Sequence, residues 1–420
     1  MNTSGTRPAP AGVPLPPASG AWQPGDPAGR RLLHDLPGPL PLEAGGELPG
    51  VRIAYETWGR LAADGSNAVL VLHALTGDSH VAGEKEPGHP TAGWWDAVVG
   101  PGRALDTDRY FVVAPNVLGG CQGSTGPSSY RPPSPAVRED PPADTPADPP
   151  ASNGPAPYGT SLSCGPRRRW GGAFPFLTQA DQVAAEASLA DALGIGRWAA
   201  VVGGSMGGMR ALEWAVGRPE RVGALLLLAT TAAASAEQIG WASVQLHAIR
   251  SDPRWRGGDY HDAGPGGGPA AGLGLARRLA HMTYRSEAEL AARFGRTAQG
   301  AEDPWHGGRY AVESYLDHHA GSLVRRFDAA SYVVLTEAMN AHDVGRGRGG
   351  TAAALRRVTA RTIVAGVDSD RLYPPHQQAE LAAGIPGSDR LRVVESPYGH
   401  DGFLIETGQV GALLRELLAG

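Results

Sequence analysis

Three side chains in this sequence have the types, order and setting of a nucleophilic acyl-transfer site: Ser205, Asp370 and His400. Ser205 stands in Gly203-Gly204-Ser205-Met206-Gly207, after the apolar run Trp198 to Val202 and before the helical pattern Met209 to Val216. A strand that turns abruptly into a helix presents a serine hydroxyl at the top of a sheet, and glycines two residues before and after make room for the turn. The helix start also aims free backbone amides at the place where an oxyanion forms. In a chain with 60 glycines the pentapeptide alone arises by chance, so its strand-turn-helix setting carries the reading.

A serine hydroxyl is a poor nucleophile at neutral pH and needs a base, which needs an orienting carboxylate. Asp370 follows a strand ending near Gly366, and His400 follows one ending near Val394. Serine, acid, histidine is the chain order expected of such a sheet, with acid and base at the carboxyl ends of strands. Asp368 competes with Asp370 as the orienting acid, and spacing does not separate them. The turn His73-Ala74-Leu75-Thr76-Gly77 follows the first strong strand, where a second oxyanion amide is expected. The amides of Met206 and Leu75 are the candidate donors; the plainer reading of the second is a strand-ending turn.

The elements that must position these residues are short apolar runs: Ala68 to Leu72, Tyr110 to Ala114, Trp198 to Val202, Val222 to Leu228, Arg361 to Ala365 and Leu391 to Val394. Continuous hydrophobic strands alternating with helices predict an α/β fold with a mainly parallel sheet covered on both faces. A helix is expected from Thr178, with Asp181 completing a capping box, to Leu193-Gly194. The stretch from Ser235 to Gly350 breaks the rhythm with helical patterns (273–282, 287–294, 312–316, 331–341) and reads as an inserted lid, between core parts at 29–234 and 351–420. Three Pro/Gly-rich segments read as disordered or mobile: residues 1–28, an insertion at 131–169, and Gly257 to Gly272.

Charged residues are 19% of the chain and the formal net charge is −5, which gives no electrostatic case for a nucleic-acid or membrane-surface partner. The cluster Arg167-Arg168-Arg169 reads as a solvated face. The longest apolar run, Ala224 to Ala236, is too short to span a bilayer, and the N-terminus lacks a basic patch followed by an apolar stretch, so a soluble cytoplasmic protein is expected. Two cysteines, Cys121 and Cys164, are too few for a disulfide framework or a cysteine-rich metal site, and no metal is expected. Gly345-Arg346-Gly347-Arg348-Gly349-Gly350 fits a dinucleotide-binding pattern, but no strand precedes it.

The elbow as Gly203-Gly204-Ser205-Met206-Gly207-Gly208-Met209-Arg210-Ala211-Leu212-Glu213-Trp214 resembles the homoserine O-acetyltransferase family. So do Asn116 to Pro127 (NVLGGCQGSTGP), Ser369-Asp370-Arg371-Leu372-Tyr373-Pro374, and Gly399-His400-Asp401-Gly402-Phe403-Leu404, with the likeness running from about Leu40 to Leu418. The resemblance implies the α/β-hydrolase fold, selects Asp370 over Asp368, and implies acetyl-CoA as a co-substrate with no permanently bound cofactor. It further implies that Arg277 and Tyr284, seven residues apart in the lid, and Asp401 after the histidine hold L-homoserine. A zwitterion needs a cation for its carboxylate and an anion for its ammonium group. Without the resemblance, Arg277 reads as a solvated helix residue and Tyr284 as a core aromatic.

The expected reaction is transfer of the acetyl group to the homoserine hydroxyl through a Ser205 acyl-enzyme, feeding methionine synthesis, by a homodimer joined through the lid helices. The rival readings are a succinyl donor, a serine acceptor, a triad esterase, and a non-catalytic scaffold. The insertion at 131–169 departs from the family pattern and bears on the mouth of the site.

Overall fold

The computed structural model describes residues 14–132 and 168–419. Eight strands form one sheet: β1 Leu32–Asp35, β2 Arg52–Trp58, β3 Ala68–Leu72, β4 Phe111–Pro115, β5 Ala200–Gly204, β6 Ala224–Leu228, β7 Arg361–Val367 and β8 Leu391–Val394. Their spatial order is β1-β2-β4-β3-β5-β6-β7-β8. β2 runs antiparallel to both of its neighbours, and the pairs from β4 to β8 are parallel.

The side chains of a strand alternate between faces, and here each face has its own core. Leu70, Leu72, Val201, Leu225 and Leu227 enter one cluster. Val69, Val71, Val202, Leu226 and Leu228 enter the other. The first face is covered by α1 Gln179–Ala192 and α2 Met206–Gly217, and the second by the C-terminal helix 407–419 through Leu414 and Leu417. Burying each such side chain contributes about 1.5–3 kcal/mol. α1 starts as expected: the Asp181 amide donates to Thr178 Oγ1 (3.3 Å) and the Thr178 amide to Asp181 Oδ2 (2.8 Å).

Between β6 and β7 the chain is helical: α3 Ala236–Arg250, α4 Ala270–Tyr284, α5 Glu287–Phe294, α6 Ala311–Val324 and α7 Ala329–Asn340. α4 packs on α3 and α6, and α3 on α7. The apolar cluster of these helices, including Leu246, Ile249, Leu273, Leu323 and Leu335, also contains Leu75, Val117 and Met206. The excursion is thereby fixed to the turn and the elbow of the sheet.

Two expectations of disorder need correction. Within the supposed tail, residues 14–28 are held: the Gly20 amide donates to Phe327 O (3.2 Å), the Trp22 amide to Cys121 O (2.9 Å), and Ser19 Oγ to Asp328 Oδ1 (2.7 Å). Residues 1–13 lie outside the described residues. The segment 257–272 is packed too, because Tyr260 is buried with its hydroxyl on Asp328 (2.7 Å) and residues from Ala270 already belong to α4. Asp328 accepts from both segments, an anchor that composition does not reveal. The 131–169 segment is pinned at its ends, where the Arg131 amide donates to Arg168 O (2.8 Å); residues 133–167 and Cys164 lie outside the described residues.

Candidate active site

β5 ends at Gly204 and α2 begins at Met206, so the turn is made by Ser205 alone. Its φ of 55° and ψ of −125° lie where a side chain costs about 1–3 kcal/mol, and persist only when neighbours impose them. The Ser205 amide donates to Leu228 O (3.0 Å), and Thr230 Oγ1 donates to Ser205 O (3.0 Å). The flanking glycines are required sterically. A Cβ on Gly203 would overlap the Gly207 carbonyl, and one on Gly207 the Leu72 carbonyl.

The structure brings the three expected residues together. Ser205 Oγ lies 2.9 Å from His400 Nε2, and His400 Nδ1 lies 2.7 Å from Asp370 Oδ2. The other oxygen of Asp370 accepts from the amides of Leu372 (2.8 Å) and Tyr373 (2.9 Å), which fixes the carboxylate. Asp368 instead accepts from the Ser396 amide (2.9 Å) and ties the β7 and β8 loops together. Burial alone would depress the His400 pKa; the charge and hydrogen bond of Asp370, with Asp401 beyond, outweigh it and hold the pKa above the ordinary histidine value.

Leu75 sits in a turn closed by the Gly77 amide on Ala74 O (2.9 Å), against the start of α2. The Met206 amide, first in its helix, has no intrahelical acceptor. His73 holds this turn. Its Nε2 accepts from the Val117 amide (3.1 Å), so Nδ1 carries the proton and donates to Ala74 O (2.8 Å). Burial, then the Arg210 charge, drops its pKa to about 3, so it stays neutral. Of the implied acceptor residues, Tyr284 has its ring 5.9 Å from that of His400, and Arg277 lies 5.6 Å from the Tyr284 ring with Nη1 donating to Thr76 Oγ1 (3.2 Å). Asp401 Oδ2 is 3.4 Å from Arg285 Nη1. Burial raises the Asp401 pKa against the pull of His400, Arg277 and Arg285.

Residues 67–407 match the family model of the alpha/beta hydrolase fold. The chain is 63% identical over 407 residues to a homoserine O-acetyltransferase of Thermobifida fusca, covering 97% of this chain and 98% of that one. The chain belongs to the homoserine O-acetyltransferase family. Among solved structures, a homoserine O-acetyltransferase from Bacillus anthracis superposes with a TM-score of 0.77 at 25% identity, over 93% of this chain and 97% of that one. An acetylester hydrolase from Corynebacterium glutamicum gives 0.71 at 27% identity, over 94% and 97%.

Within this member of the homoserine O-acetyltransferase family, several site residues escaped the sequence reading. Tyr373 is buried and stacks on His400, with centroids 5.0 Å apart and 29° between planes. Arg285 is held by Glu289 (2.8 and 3.2 Å) while it faces Asp401. Glu186, Arg210 and Trp214 form a buried cluster: Arg210 Nη1 to Glu186 Oε1 2.5 Å, Trp214 Nε1 to Glu186 Oε2 2.8 Å, and Arg210 Nη2 to His73 O 2.8 Å. The elbow helix is thus tied to the Leu75 turn. Asn116 accepts from the Ser79 amide (2.7 Å) and donates to Gln122 O (2.7 Å), so the loop after β4 is tied to the segment that follows the turn. Glu186 in an alanine-rich helix was the one available signal, being an acid at helical spacing from Val183, Leu189 and Ala190.

Glu56, His80 and His89 bring three ligand-type atoms within 4.8 Å of one another. The His80 and His89 rings stack with centroids 3.9 Å apart and 12° between planes. Nitrogen lone pairs lie in the ring plane, so one ion cannot serve both rings in this arrangement. The cluster reads instead as an ion pair. Burial opposes charge on His80, but Glu56 at 3.1 Å raises its pKa, whereas burial takes His89 down to about 4.

Proposed function

We propose that this chain transfers the acetyl group of acetyl-CoA to the hydroxyl of L-homoserine, giving O-acetyl-L-homoserine and CoA, a step that serves methionine biosynthesis. The carrying observation is the unbroken Ser205–His400–Asp370 chain with Tyr284 and Asp401 beside the same imidazole. The name borne by the 63% identical relative supports it.

In this mechanism His400 Nε2 takes the Ser205 proton as Oγ attacks the thioester carbonyl. The Met206 and Leu75 amides receive the oxyanion, and Asp370 stabilises the imidazolium. The proton passes to the departing thiolate, and CoA leaves an acetyl ester on Ser205. Homoserine then binds with its carboxylate at Arg277 and Tyr284 and its ammonium at Asp401. His400 deprotonates its hydroxyl, which attacks the ester, and Ser205 is restored.

Hydrolysis is the second reading, favoured by the shared fold with an acetylester hydrolase. Against it stands the closure of the site: Ser205 is 6% exposed and His400 3%. The deciding experiment follows thiol release from acetyl-CoA or succinyl-CoA with homoserine, serine or no acceptor. Release that depends on homoserine and acetyl-CoA supports the proposal; equal release with and without acceptor overturns it.

The working unit in this proposal is a lid at 235–350 between core parts 29–234 and 351–420, in a cytoplasmic homodimer joined through lid helices. Exposed Leu275 and Met282 on α4 support the dimer, and light scattering tests it. Among the described residues no helix is long and apolar enough to cross a membrane.

A further inference from the structure

The loop after β7 brings to the nucleophile a phenol that the triad leaves unused. Asp370 Oδ1 accepts from the amides of Leu372 (2.8 Å) and Tyr373 (2.9 Å), so the turn that fixes the acid also folds Tyr373 back over the site. Pro374 and the helix Pro375–Gly384 follow at once, and the fixed φ of a proline at the first helical position stiffens the turn. Tyr373 is 2% exposed. Three aromatic rings pack the imidazole of His400: Tyr373 stacked at 5.0 Å, Phe403 edge-on at 5.4 Å and Tyr284 at 5.9 Å. Of these, Tyr373 also makes a side-chain hydrogen bond with Ser205.

The available protons fix the direction of that bond. His400 Nδ1 donates to Asp370, whose carboxylate only accepts, so Nε2 at 2.9 Å is the acceptor for the single proton of Ser205. Ser205 Oγ has no second proton to give, and Tyr373 is therefore the donor. Burial, with Tyr284 and Asp370 close by, holds the phenol pKa above its ordinary value, so the group stays protonated wherever His400 titrates.

Acylation changes what Oγ can accept. A hydroxyl oxygen is a good acceptor, and one that develops negative charge is better still. The bridging oxygen of an ester shares its lone pair with the carbonyl and is a poor acceptor. The bond from Tyr373 is thus present in the free enzyme and in both transition states, but weak in the acetyl-enzyme. An interaction that is weak in a ground state and strong in the transition state that follows accelerates that step. We propose that Tyr373 is a catalytic residue of the discharge step, its hydroxyl regaining Ser205 Oγ as an acceptor while the acetyl ester breaks. In that step the homoserine oxygen bonds the acetyl carbon, the C–Oγ bond breaks, and the homoserine proton passes through His400 Nε2 to Oγ. Tyr373 keeps its own proton throughout. The assignment rests on the acyl-enzyme reading above and adds a reason why the acetyl-serine does not persist.

The test measures the two half-reactions separately in the parent, in Tyr373→Phe, which keeps the ring and removes the hydroxyl, and in Tyr373→Leu, which removes both. Rapid mixing with acetyl-CoA alone gives the rate of acylation from the thiol burst, and adding homoserine to the charged enzyme gives the rate of discharge. In Tyr373→Phe the burst rate stays within about twofold of the parent, while discharge slows roughly 3- to 10-fold, the effect of one hydrogen bond. Mass spectrometry of enzyme quenched during turnover then finds a larger acetylated fraction than in the parent. Enzyme charged by p-nitrophenyl acetate discharges at the same slowed rate, since both donors leave the same ester. Tyr373→Leu slows both half-reactions, because His400 also loses its stacked neighbour. Discharge unchanged in Tyr373→Phe, or both half-reactions slowed equally in it, overturns the assignment and leaves the acyl-enzyme reading standing. A parent that turns over without a burst and without acetyl-enzyme removes that reading, and the assignment with it.

Discussion

Replacing Asp401 by Asn separates the acceptor's binding charge from the acyl-transfer machinery. Asp401 follows His400 directly and faces Arg285 at 3.4 Å, but Arg285 is held more closely by Glu289 (2.8 and 3.2 Å), which leaves Asp401 acceptor capacity for an incoming ammonium group. Asn preserves the shape and removes the charge. A hydrogen bond to a charged partner contributes about 1.5–3 kcal/mol, so kcat/KM for homoserine is expected to fall roughly 10- to 150-fold. A second consequence follows from the same charge. Asp401 helps to raise the His400 pKa, so its loss moves the acidic limb of the first half-reaction to lower pH. Stopped-flow thiol release from acetyl-CoA without acceptor reads the first half-reaction, and steady-state turnover with homoserine reads the second. An unchanged homoserine KM, or an equal loss in both half-reactions, would refute the reasoning, because either result makes Asp401 a structural residue.

The pH dependence follows from the base. His400 must be neutral to take the serine proton, and its raised pKa keeps it protonated to higher pH than a free histidine. Activity therefore rises with pH through a limb above about 6.5, and a pH–rate profile with its limb below that value counts against the assignment. Arg210→Met leaves the buried Glu186 without its counter-charge, held only by Trp214, with an expected cost of about 3–5 kcal/mol in urea unfolding. The double variant Glu186→Gln, Arg210→Met recovers part of that loss; a single variant as stable as the parent contradicts the reading of the cluster.

The parts of the fold legible in the sequence are those where burial on both faces writes a continuous apolar run. All six such runs are strands, shifted by at most two residues at their ends, as with Ala200–Gly204 against Trp198 to Val202. β1 and β2 were not legible. β1 is a partly exposed edge, and β2 carries Glu56, a charge that reads as solvated but is buried against Ser79 and His80. α3 was missed for a related reason, since its buried face mixes Gln238 and Gln245 with Ala242, Leu246 and Ile249 and blurs the hydrophobic period. In the site, Ser205 was readable because glycines are sterically demanded around it, whereas choosing between Asp368 and Asp370 required knowing where each carboxylate turns. Arg285 and Tyr373 act through contacts with residues far away in the chain, which local spacing does not encode.

The central claim is that Ser205 carries the acetyl group and yields it to homoserine rather than to water. Incubation with acetyl-CoA alone, quenching, digestion and mass spectrometry should find one acetyl group on the peptide containing Ser205, and none in Ser205→Ala. Added homoserine should discharge it far faster than buffer does, with O-acetylhomoserine formed in equal amount. An acetyl group on another residue, no acetyl-enzyme under conditions of turnover, or discharge at the same rate with and without homoserine would contradict the account.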